Sequence, residues 1–127
     1  MHDKQLFEYA VIRVIPKVHR EEFLNVGVIL YCRDRRFLQC IFTLPKEKLR
    51  ALAAELDLEE VYKHLCAFEQ ICNGDAAGGP IALLDMASRF RWLTATRSTV
   101  VQASKVHPGL CIDPRETLIK LHADLVL

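Results

Sequence analysis

The first third of the chain is patterned for strands. In "LFEYAVIRVIP" (Leu6 to Pro16) β-branched and aromatic residues dominate, with Tyr9, Val11, Arg13 and Ile15 on one face. The run stops at a proline, which cannot donate to a ladder. A polar connection, "KVHREEFLN", with room for a helical turn, leads into "VGVILYCR" and "FLQCIFTL", two strand-like runs parted by Asp34, Arg35 and Arg36. They predict a β-hairpin with a basic tip, which reads as solvated edge protection, with phosphate contact as the alternative. Along the hairpin's first strand Val26, Val28, Leu30 and Cys32 fall on one side and Gly27, Ile29 and Tyr31 on the other. Both faces of the sheet therefore look at least partly apolar.

The period changes at Pro45, which suits a first helical turn, and Leu49, Leu52, Ala53 and Leu56 then fall on one helix face. Asp57 with Glu60 resembles a capping box that restarts the helix. Leu58, Val61, Tyr62, Leu65, Phe68 and Cys72 make a second apolar stripe, which stops at Asn73-Gly74. "GDAAGGP" is a loop before a third helix, "IALLDMASRFRWL", and it holds no glycine pattern that cradles phosphate. "STVVQAS" returns to strand character. Asp113, Pro114 and Glu116 open a last helix carrying Leu118, Leu121, His122 and Leu125. Strands first, helices in the middle, then one more strand and a helix predict a single α+β domain over residues 1–127. Its core is an antiparallel sheet of about four strands with helices packed mainly on one face. The second face then needs a cover or a partner, which favours a homodimer or a complex with another protein.

Length fits that reading: 127 residues, about half of them hydrophobic, suffice for one core. Seventeen basic and sixteen acidic side chains leave a formal charge of +1, so no global field holds nucleic acid or an anionic membrane, and anion binding has to be local. No apolar run reaches membrane-spanning length and the first residues do not read as an export signal, so a cytoplasmic protein without a membrane partner is expected. The five cysteines are then reduced thiols in apolar stretches. His64, Cys66 and Cys72 cannot converge on one ion from an intact helix, so no metal and no cofactor is expected.

"YAVIRVIP", "REEFLNVGVILYCRDRRF" and "FRWLTATRSTVVQASKVHPGL" together resemble a bacterial family catalogued as domain-of-unknown-function family 3037, over nearly the whole chain. The carrying segments are the strand before Pro16, the Asn25-Val26-Gly27 start of the second strand, and the stretch from Arg97-Ser98 to His107. The family pattern has a proline where Thr96 stands and a small polar residue where Pro108 stands. The resemblance implies no catalytic residues. Because such genes often lie beside one for a HipA-like kinase, it implies that kinase as a partner.

"FRWLTATRSTVVQASKVHPG" is the stretch richest in site chemistry. Arg89 and Arg91, near a helix end, are accounted for by the helix dipole, and Phe90 and Trp92 by core or interface packing. Arg97 and Ser98 fall in a turn between elements, where a guanidinium fork and a hydroxyl can face a cleft. Arg13 on the first strand and His107 before a Pro-Gly turn join them if the last strand pairs beside the first. Arg13, Arg97, Ser98 and His107 are therefore the candidate binding residues for an anion or phosphate. The alternative is an arginine network tying Glu21, Glu22 or Asp85 across the fold. The expected function is a small non-enzymatic interaction or regulatory module. Two further readings stay open: a hydrolase or nuclease using Ser98, His107 and a carboxylate such as Glu21 or Asp85, and a local nucleic-acid binder through Arg33, Arg35, Arg36 and Lys46.

Overall fold

The computed structural model describes residues 3–17, 20–95 and 99–127. Five strands form one antiparallel sheet: β1 (Gln5–Val14), β2 (Leu24–Cys32), β3 (Phe37–Phe42), β4 (Val101–Ala103) and β5 (His107–Cys111). The helices are α1 (Lys46–Leu52), α2 (Leu58–Asn73), α3 (Met86–Thr94) and α4 (Pro114–Leu125). The α+β class follows as the sequence predicts, with one strand more than expected.

β1, rich in β-branched and aromatic residues, lies inside the sheet with strands on both of its edges. It pairs with β2 on one edge, and its other edge is shared: β4 takes Ile12 to Val14 and β5 takes Gln5 to Tyr9. Between the two short strands, Ser104 completes the ladder. Its amide donates to Val11 O at 2.8 Å, and its hydroxyl accepts the Val11 amide at 2.8 Å and donates to Lys105 O. A buried amide without such a partner would cost about 1–3 kcal/mol. β5 replaces the turn expected around Pro108-Gly109. Gly109 lies opposite Phe7, and a Cβ there would sit 2.5 Å from that ring, so only glycine lets the strand close under the aromatic side chain.

The pleat sorts the core. Ala10, Ile12 and Val14 of β1, Ile29 and Tyr31 of β2 and Leu38 of β3 face α1, α2 and α3, meeting Leu49, Leu65, Phe90 and Leu93. Phe7, Val28, Leu30 and Cys32 face the other way, where Leu118 of α4 packs on them together with Cys111. Three helices thus cover one face and the fourth covers β2 and β3 on the opposite one. The β1–β2 register slips by one residue after Ile12, so Val26, expected beside Val28, turns over to join Ile12 and Val14.

Local chemistry sets the helix ends. Asp57 accepts the Glu59 and Glu60 amides and starts α2, and Gly74, at φ +70°, ends it in the left-handed conformation. The third helix is shorter than its apolar pattern suggests. Pro80–Leu83 winds as a 3-10 turn, and Asp85 then caps α3 by accepting the Ser88 amide at 2.7 Å.

His122 of α4 is buried, its Nε2 lies 2.9 Å from Thr43 Oγ1, and its Nδ1 has no partner among the described residues. Burial pushes its pKa below the ordinary 6.5. The unfolded chain therefore binds the proton more readily than the fold does, and this residue's contribution to stability is complete above pH 6.5 and lost as the pH falls toward the folded value. Denaturant unfolding midpoints should fall on acidification through this window, and His122→Gln should flatten the dependence. An unchanged profile in the variant would refute the assignment.

Candidate functional site

The residues singled out near the end of the chain are only partly described. Arg97 and Ser98 lie outside the described residues, so their expected convergence with Arg13 and His107 concerns positions on which the structure carries no information. Arg13 lies in register with Gln102 of β4, and its guanidinium stacks 4.1 Å from the centre of the Phe23 ring, with Nε buried and without a hydrogen-bond partner among the described residues. His107 lies opposite Tyr9 and stacks on it at 5.3 Å. Both belong to the sheet face that α4 shares, but Tyr9 and Arg13 are four residues apart on one strand, about 13 Å. They line the same face without touching.

The neighbouring arginines are accounted for differently than a helix dipole requires. Arg91 makes a two-pronged pair with Glu8 at 2.8 and 2.9 Å, clasping α3 to β1. Arg89 donates to Leu84 O at 2.7 Å and lies over Gly74, the end of a different helix, where a Cβ would come within 3.3 Å of its guanidinium carbon. Phe90 is fully buried, whereas Trp92 is exposed at the surface. Asp85, offered as a catalytic acid, is engaged as the α3 cap, and the Ser88 amide holds its carboxyl below the usual carboxylate range. At the basic hairpin tip Arg35 folds back to Gln5 and to Ile112 O, while Arg33 and Arg36 are exposed.

The principal cavity lies elsewhere, along the outer edge of β3. It has a volume of about 640 Å³ and runs the whole strand from Arg36 to Phe42. The end of α2 (Glu69, Cys72 and Asn73) and Arg89 wall it on one face of the sheet, and Arg115 of α4 on the other. Arg115 Nη1 donates to Gln39 at 2.7 Å, which ties its guanidinium to the strand that forms the groove. Arg89 Nε is buried without a hydrogen-bond partner among the described residues. Arg36 closes the hairpin turn at φ +51°, a left-handed backbone that favours glycine or asparagine, so an arginine there is a costly choice. Three guanidinium groups against the one carboxylate of Glu69 make this a local cationic site on a nearly neutral chain.

β3 pairs only with β2 among the described residues. The Thr43 amide donates to Val26 O, which turns the backbone of Ile41, Gln39 and Phe37 inward and that of Leu38, Cys40 and Phe42 outward. The groove therefore offers unpaired backbone donors and acceptors flanked by arginines. Sequence reasoning assigned Arg89 to the helix dipole and did not weigh Arg115. The readable signal was "FLQCIF", an edge strand without lysine or proline to protect it.

Other chemistry is sparse. Thr43 and His122 form a hydroxyl–imidazole pair, but no group orients the far ring nitrogen, as a general base requires. Unbroken α2 points His64, Cys66 and Cys72 in different directions, and among the described residues no three metal-ligating side chains gather.

A family model described as "Protein of unknown function (DUF3037)" matches residues 9–126. The chain belongs to that family. No curated protein and no solved structure matches it. In this DUF3037 chain no helix among the described residues is long and apolar enough to cross a membrane.

All five cysteines are free. Contact with Cys40 and burial push the Cys72 thiol up, and burial followed by the neighbouring Cys32 does the same to Cys111. Both should be inert toward a thiol reagent in the native protein, while denaturation without reductant should release five groups. Recovery of fewer than five, or fast native labelling of Cys72, would contradict this.

Proposed function

We propose that this DUF3037 chain is a small interaction module that recognises an anionic surface or segment of a protein partner, and that its principal recognition site is the groove along β3. The observation that carries the reading is the placement of Arg36, Arg89 and Arg115 around an unpaired strand edge. Guanidinium groups recognise carboxylates and phosphates through paired hydrogen bonds, and an edge strand adds backbone donors in the same place. A regulatory role beside a HipA-like kinase, which the family resemblance implies, supplies a concrete partner for this module.

A second anion site on the sheet face of Arg13 remains a distinct reading. It is favoured by the buried Nε of Arg13, which has no hydrogen-bond partner among the described residues, and it draws on Arg97, Ser98 and His107.

Titration with poly-L-glutamate separates the two. Arg36→Gln combined with Arg115→Gln, both exposed positions, should weaken binding at least tenfold, or about 1.4 kcal/mol. Arg97→Ala should leave it unchanged, with circular dichroism confirming the fold. If Arg97→Ala instead costs about 1–3 kcal/mol while the groove variant binds normally, the second site is the functional one.

A further inference from the structure

Resting on the groove reading, we infer that the occupant is an extended acidic segment of another protein, which adds to the sheet as a strand beside β3. The outward backbone groups of Leu38, Cys40 and Phe42 set the spacing of a β-ladder, and the partly buried apolar side chains along β3 give an added strand apolar surface to cover. The arginines then fix the chemistry. Arg89 stands on the face of α2 and α3, and Arg115 on the face of α4, joined to Gln39. Successive side chains of a strand point to opposite faces, so an added strand presents one acid to each guanidinium when two acidic residues are adjacent in its sequence. The recognised feature is thus an adjacent acidic pair in an otherwise β-prone, extended peptide. A second copy of this chain is a poor occupant, because edge-to-edge pairing of two β3 strands brings arginines against arginines.

The experiment uses the full chain and a fluorescent peptide of roughly ten residues, the span of β3 with short overhangs, alternating valine and threonine around a central Glu-Asp pair. Anisotropy is compared with the same peptide N-methylated at alternate residues and with an isomer whose two acids are two positions apart. The parent should bind at least tenfold tighter than either control, and Arg115→Gln should abolish the advantage over the isomer. Equal binding of the parent and the N-methylated peptide overturns strand addition. If Arg115→Gln then weakens both alike, the cationic groove itself stands. Binding of poly-L-glutamate but not of the parent peptide overturns the occupant alone. Failure of both probes overturns the groove as well.

Discussion

The fold depends on β1 having a neighbour on each edge, β2 on one side and β4 with β5 on the other. β2 also lies between two strands, but the strand on the outer side of β1 is built from two short pieces, β4 and β5, with the Ser104 hydroxyl completing the ladder where one gives way to the other. This arrangement brings the last part of the chain back beside the first. Once β1 is enclosed in that way, the hairpin extends the sheet in the opposite direction and β3 is left at its margin. The open edge is therefore a consequence of how β1 is satisfied.

The same enclosure changes how the second face of the sheet is understood. Apolar residues on both sides of β2 suggested a partner chain, but α4 supplies Leu118 over Val28, Leu30 and Cys32. The slip after Ile12 also moves Val26 to the other layer. Much of the apolar surface that argued for self-association is thus covered within the chain. What the fold leaves open is a polar, arginine-flanked edge, which suits an unlike partner better than a copy.

Class and element order were legible because strong periodicity and capping chemistry agree: Asp57, Gly74 and Asp113 mark helix ends where the structure has them. β5 was not legible. His107, Pro108 and Gly109 carry no strand propensity, and the segment becomes a strand only because β1 presents an unpaired edge and Phe7 accepts a glycine beneath it. The candidate site was less legible still. Arg36, Arg89 and Arg115 are 79 positions apart from first to last by their numbering and come together through the tertiary fold, whereas Arg13 and His107, which the sequence suggested as neighbours, share a face but not a contact. The helix dipole explained Arg89 well enough to conceal its place beside the groove.

That β3 is an open strand edge is the claim on which the binding account stands, and amide hydrogen exchange of the free protein tests it most directly. The account predicts alternation along the strand, with the Leu38, Cys40 and Phe42 amides exchanging at least about tenfold faster than those of Gln39 and Ile41, which bond to β2. Uniform protection of all five amides would mean that the edge is already covered, and would contradict it.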